Sequence, residues 1–387
     1  MKQILVLTKT YEPFKDGVAE AAKVTACCLA ARGYEVTVGT GYHPDRQPNP
    51  IGANPSVTQF KVAGSASWRE GFHGEVAEYR NFVASFHGEF IICHAWQAWT
   101  TDLAIPLFRA AKARTIMVSH GCDSHMIHWH PRFPWGLVQW AGWFPYALRL
   151  PLFLKIFSRV VFLSKCSDYR RFFDHWLACR LRLPGIAIIP NTVSGDGVDQ
   201  KLPNFRQELH IGAGILFLCV ANYYTHKNQE LALRAFRKAR LSEATFVFIG
   251  SEFNSYQAKV KKIDQELVRS CPDGRVIFLE KISRELTLAA FKACDVVVLT
   301  AKDETQPIVL IEAMAFGKPF ISTKSSGCIC ELTGGLMADS EQEISQQMKR
   351  LAEKPDYRLA LGQAGQKAYF ADYRNDRVVD AFVELLQ

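Results

Sequence analysis

Thr300-Ala-Lys-Asp-Glu-Thr-Gln-Pro-Ile-Val-Leu-Ile-Glu-Ala-Met-Ala-Phe-Gly317 is the stretch whose reading decides the fold. The run just ahead of it, Val296-Val-Val-Leu299, is unbroken and apolar, as a strand covered on both faces of a parallel sheet must be. Pro307 suits the first turn of a helix, where its missing N–H costs nothing, and Gly317 suits the position just past the end. The N–H groups around Thr305, Gln306, Ile308 and Val309 then form a helix N-terminus that can take an anion. Glu304 stands in the loop ahead of that positive end, and Glu312 lies more than one turn inside the helix. A strand, a loop and a helix N-terminus at the carboxyl edge of a sheet is where α/β proteins bind phosphorylated ligands. Two acids at this spacing are also compatible with plain surface charge. The strand before them and the Pro and Gly around them argue for a site.

Working outward, strand and helix patterns alternate along the whole chain. Ile4–Thr8, a helix over residues 17–32 ending at Gly33, and residues 36–40 form a βαβ unit. Residues 90–93, 115–119, 160–163 and 186–190 are further strands, and the Gly-, Asp- and Pro-rich residues 191–204 read as a linker. A second start follows, with strands at 215–221, 245–250, 276–279, 295–299 and 320–322 and helices at 228–239, 256–269 and 284–294. Two such series predict an α/β protein of two doubly wound domains. We place them at residues 1–195 and 205–372, followed by an amphipathic final helix over 373–387. A chain of 387 residues is long enough for two cores, and 48% apolar with 22% charged residues makes it globular. The net charge of +8 favours anionic partners, a phosphorylated ligand or an acidic membrane face. No dense Lys/Arg run points to nucleic acid. Eleven scattered cysteines without a Cys-x-x-Cys pair read as reduced thiols, and no apolar run is long enough to span a bilayer. The expected location is cytoplasmic.

The Glu304–Glu312 segment resembles the Glu-x7-Glu signature of retaining GT-B glycosyltransferases of family 4, and the Gly317-Lys-Pro-Phe-Ile321 run after it agrees. The resemblance is dense over residues 215–335 and diffuse over the N-terminal half. It implies a GT-B fold: two Rossmann-like domains facing across a cleft, acceptor side first and nucleotide-sugar side second, with the last helix returning to the first. It implies transfer of a sugar from a UDP- or GDP-linked donor to an acceptor hydroxyl, with retention and without a cofactor. Glu304 would then hold the donor sugar, Glu312 the ribose, and the N–H groups of residues 306–309 the diphosphate.

Other segments fit this frame. Lys227, in Asn222-Tyr-Tyr-Thr-His-Lys227, follows a strand and opens a helix, where its ammonium can neutralise a leaving diphosphate. On local grounds it is equally a solvated lysine, and the family pattern favours the functional reading. Family members usually carry an arginine near Asn222; its absence here leaves Asn222 a doubtful phosphate ligand and asks for a second cation elsewhere. Asp16-Gly17 joins the first strand to its helix and matches the family's glycine loop, which faces donor and acceptor. His120 stands at a strand end, where the family commonly sets a histidine against the donor sugar, and His94 ends another strand and would flank the acceptor.

His120, Cys122, Asp123, His125, His128 and His130 could hold a metal, but their spacing fits no closed zinc pattern. The chain also lacks the Asp-x-Asp pair that carries a metal–diphosphate in the other main glycosyltransferase fold, so the expectation is no metal. Trp129, Trp135, Trp140, Trp143 and Tyr146, mixed with Arg132, Arg149 and Lys155, suit either a domain interior or a membrane interface beside a lipid-linked saccharide acceptor. Two rival functions remain: an inactive nucleotide-sugar-binding partner subunit, and a nucleotide-sugar 2-epimerase.

Overall fold

The computed structural model describes residues 2–122, 135–167, 172–193, 201–251 and 253–387. The chain divides into two units, Met1–Pro190 with Val378–Gln387, and Asn191–Arg377.

In chain order the first unit holds β1 (Gln3–Leu7), α1 (Gly17–Ala31), β2 (Glu35–Gly41), β3 (Ser56–Phe60), β4 (Val62–Ser65) and β5 (Gly71–Gly74). There follow α2 (Val76–Ala84), β6 (Phe90–His94), α3 (Trp99–Ala104), β7 (Arg114–Ser119), α4 (Trp135–Ile156), β8 (Arg159–Phe162), α5 (Phe173–Arg180) and β9 (Ile186–Ile188). Seven strands form a sheet in the order β3-β2-β1-β6-β7-β8-β9, all neighbours parallel, and β4 and β5 form an antiparallel hairpin. The buried residues of β1, and those of β6 up to Cys93, are apolar because helices cover both faces of the sheet. Leu5, Leu7, Ile91 and Cys93 point to one core, and Ile4, Val6, Phe90 and Ile92 to the other, by the two-residue period of a strand.

The second unit holds α6 (Phe205–Glu208), β10 (Leu216–Val220), α7 (Gln229–Ala239), β11 (Thr245–Gly250), α8 (Ser255–Leu267), β12 (Arg275–Glu280) and α9 (Arg284–Ala293). It continues with β13 (Val296–Leu299), α10 (Ile308–Ala315), β14 (Phe320–Ser322), β15 (Gly335–Met337), α11 (Glu341–Glu353) and α12 (Pro355–Ala368), and α13 (Asn375–Leu385) closes the chain. Its six parallel strands run β12-β11-β10-β13-β14-β15. Asn254, Ser283 and the Ser340–Glu343 capping box fix the starts of α8, α9 and α11. Val378, Phe382 and Leu386 pack with Ala22, Ala26 and Leu29 of α1 in the first unit, and Arg32 pairs with Asp380. The fold is therefore the α/β, two-parallel-sheet arrangement that the sequence predicts, its last helix joined to the first unit.

Each sheet reverses its strand order once, between β1 and β6 and between β10 and β13. Loops leaving the carboxyl ends of strands at such a switch point diverge to opposite faces and open a crevice.

Candidate functional site

In the second unit the loops after β10 and β13 leave that switch point and are stitched together. The Thr300 hydroxyl donates to the Asn228 carbonyl at 2.8 Å, and the Lys302 N–H donates to the His226 carbonyl at 2.7 Å. Asn228 turns the chain at φ 54°, in the left-handed region that asparagine tolerates, and Gln229, fully buried, donates to the carbonyls of Ala221 and Asn222. Held this way, the Lys227 ammonium donates to Glu304 Oε1, with both side chains about four-fifths buried. The two residues are far apart in sequence, and the switch point brings them together.

Pro307 is the N-cap of α10, one residue earlier than the sequence suggests, and offers no side-chain acceptor. The first-turn N–H groups of Ile308 and Val309 therefore have no partner within the helix, as an anion site requires. At the other end Gly317, at φ +64°, closes a Schellman motif: its N–H meets the Met314 carbonyl, and the Lys318 N–H meets Ala313. Gln306 is buried, and its side chain accepts from the Asn191 N–H at 2.6 Å while its carbonyl accepts from Asn191 Nδ2 at 3.1 Å. That side chain anchors the loop. Asn222 behaves alike, its Oδ1 accepting from the Ser251 N–H at 3.2 Å and so joining the exits of β10 and β11.

Glu312 is 3% exposed on α10, and its carboxylate pairs with the Arg284 guanidinium at the start of α9. Sequence reading missed Arg284. The available signal was a cation in the first turn of a helix, where the dipole disfavours it.

In the first unit Asp16 caps α1, accepting from the N–H groups of Val18 and Ala19 at 3.0 and 2.9 Å and from the Thr10 hydroxyl at 3.1 Å. Gly17 opens that helix and is exposed. Arg46 braces the same loop through the carbonyls of Tyr11, Glu12 and Gly41, a second residue the sequence did not flag. His94, the last residue of β6, lies with Nδ1 3.2 Å from His120 Nε2, and the rings stack at 5.4 Å. Burial holds His94 well below the usual imidazole range, helped by His120, and pulls His120 down to about 4. Both rings are neutral at neutral pH, so they can exchange hydrogen bonds with a ligand but carry no positive charge there. Beneath them Asp174 accepts from the Trp96 indole at 2.9 Å and from Ser119.

Asp123, His125, His128 and His130 of the possible metal cluster lie outside the described residues, as do Trp129 and Arg132. Tyr146, Leu150 and Leu154 of α4 are buried in the core with Trp143 against it, so the domain-interior reading holds for that face. The helix has a second face. Phe144 and Leu137 are exposed, and Leu148 and Leu152 are 63% and 57% exposed. Trp68, 68% exposed, donates its indole N–H to the Ala141 carbonyl beside that stripe. Arg149 and Lys155 are exposed on the same helix. Among the described residues no helix is long and apolar enough to cross a membrane.

Residues 201–368 match the family described as "Glycosyl transferases group 1". No curated protein matches the sequence. Solved structures match over the whole chain at identities that speak to the fold alone. Sucrose-phosphate synthase from Thermosynechococcus elongatus superposes with a TM-score of 0.76 at 16% identity, covering 100% of this chain and 98% of that one. Anabaena HepE in complex with UDP and glucose gives 0.72 at 17%, covering 100% and 99%. WaaG, a glycosyltransferase involved in lipopolysaccharide biosynthesis, gives 0.69 at 17% and 99% of each chain. These are GT-B structures, and this chain shares that fold.

Proposed function

We propose a reaction for this chain, whose residues 201–368 match the glycosyl transferases group 1: transfer of a sugar from a UDP- or GDP-linked donor to an acceptor hydroxyl, with retention and without a metal. The observation that carries it is the Lys227–Glu304 pair at the β10/β13 switch point, a few residues ahead of α10, whose start has no side-chain cap. Lys227 and the N–H groups of Ile308 and Val309 are assigned to the donor diphosphate, where they stabilise charge that grows as the sugar leaves. An entering diphosphate takes over the ammonium and frees the Glu304 carboxylate for sugar hydroxyls. Glu312 is assigned to the ribose. Anabaena HepE, of like fold, is seen with UDP and glucose, which supports a nucleotide-sugar donor here. In the first unit His120, His94 and the Asp16-Gly17 turn are assigned to the reacting sugar and acceptor. Because both imidazoles are neutral, they orient hydroxyls, and the leaving phosphate itself takes the acceptor proton.

The acceptor is lipid-linked in this reading, with the protein on the cytoplasmic face of a membrane. The outward stripe of α4, Phe144, Leu148 and Leu152 with Trp68 beside it, suits an interfacial helix, and Arg149 and Lys155 suit anionic headgroups. Thermal stabilisation by a panel of UDP- and GDP-sugars, followed by transfer to lipid-linked and soluble acceptors, tests the reaction. Binding without turnover would favour an inactive partner subunit, and conversion of free donor without acceptor would favour a 2-epimerase. Flotation on anionic and neutral vesicles tests the surface: binding to anionic vesicles that Leu148→Glu abolishes is expected, and failure on both vesicle types would remove the membrane from the proposal.

A further inference from the structure

We infer that Arg284 is the positioning residue of the nucleotide subsite, holding the Glu312 carboxylate ionised and oriented so that it can accept the ribose hydroxyls. The inference rests on the assignment of Glu312 to the ribose. Glu312 sits among Leu310, Ile311, Ala313 and Met314, all fully buried. A carboxylate in such surroundings takes up a proton unless a cation lies against it. A ribose diol offers donors, and an ionised carboxylate has about four lone-pair sites, enough to serve a guanidinium and the diol together. Arg284 supplies the cation from another element. It occupies the first position of α9, whose start is fixed by Ser283: the hydroxyl accepts from the Leu286 N–H at 3.1 Å, and the carbonyl from the Thr287 N–H at 3.0 Å. The dipole disfavours a positive charge there, and the pairing with Glu312 offsets that cost. The Arg284 side chain is about half exposed. The second unit thus holds one cation against each acid of the signature, Lys227 on Glu304 and Arg284 on Glu312. The two pairs differ in purpose, since Lys227 is to be surrendered to the diphosphate while Arg284 stays on its acid.

Calorimetric binding of UDP or GDP, whichever stabilises the wild-type protein, together with donor kinetics, tests this on Arg284→Gln, Arg284→Lys, Glu312→Gln and the Arg284→Gln/Glu312→Gln double variant. Arg284→Gln is expected to weaken nucleotide binding about tenfold, the loss expected when one charge-assisted partner is removed, and to raise donor KM with kcat nearly unchanged. Arg284→Lys keeps the cation and is expected to bind within about threefold of wild type, which also covers the case in which Arg284→Gln folds poorly. The double variant should bind no more weakly than Glu312→Gln, because Arg284 acts through that carboxylate. Additive losses in the double variant, or wild-type affinity in Arg284→Gln, would overturn the positioning role while leaving the ribose assignment intact. Wild-type affinity in Glu312→Gln would overturn the ribose assignment itself.

Discussion

The two units meet the cost of burying polar groups in opposite ways. The second sets a cation on each acid of the signature, Lys227 on Glu304 and Arg284 on Glu312. The first strips charge away. Burial and the neighbouring ring keep His94 neutral, burial does the same for His120, and the Asp102 carboxyl is pushed up to about 7 by burial, against a hydrogen bond from Tyr146 at 2.8 Å. A site for a diphosphate needs fixed charges that can be exchanged with the ligand. A site for sugar hydroxyls needs donors and acceptors without net charge. The difference therefore matches the proposed division of labour between donor and acceptor.

Removing a cation from the charged side should have the largest effect. Lys227→Ala is expected to lower kcat/KM by roughly 30- to 1000-fold, the 2–4 kcal/mol typical of a lost electrostatic contact to developing charge. Steady-state kinetics on the folded variant check it, and near-normal turnover would end the donor-side assignment. On the neutral side, a carboxyl whose folded pKa lies above its unfolded value near 4 keeps its proton in the folded state while the unfolded chain releases it. Its contribution to stability is thus present at low pH, declines from about pH 4 to 7, and is gone above that. Asp102→Asn keeps the acceptor for Tyr146 and removes the titration. Urea unfolding should find it more stable than wild type at pH 8, by on the order of 1–3 kcal/mol, and equal to it near pH 4. A wild-type advantage at pH 8 would mean that Asp102 is paired and charged. The smallest effect separates the two acids. Glu312→Gln should raise donor KM more than it lowers kcat, and Glu304→Gln should chiefly lower kcat, each by roughly tenfold, because contacts to the sugar tighten in the transition state and those to the ribose do not. The reverse split would exchange their roles.

Strand and helix alternation, the buried β13 run and the Gly317 terminus were legible because burial periodicity and backbone preference are local and recur along the chain. Several of the elements that sequence reading passed over have weak local patterns. Edge strand β3 is only half-buried along most of its length, and β15 is a three-residue strand containing Gly335. Helix α4, with Pro145 and Pro151 inside it and apolar residues on two faces, has almost no amphipathic signal to read. The site divides in the same way. Glu304, Glu312 and Lys227 could be named from the chain because the strand exits and the short helix that carry them are defined by their neighbours in sequence. Gln306 could be named too, but that its side chain is committed to Asn191 could not be foreseen. By itself, the sequence determined which strands are buried, where the helices stop and which acids stand at the carboxyl edge of the second sheet, since those follow from neighbours a few residues away. Only the tertiary structure decided that Arg284 reaches Glu312, that His94 and His120 share a hydrogen bond, and that α4 turns an apolar stripe outward. Those depend on how the sheet order and the packed helices bring distant residues together, and no spacing along the chain records such a distance.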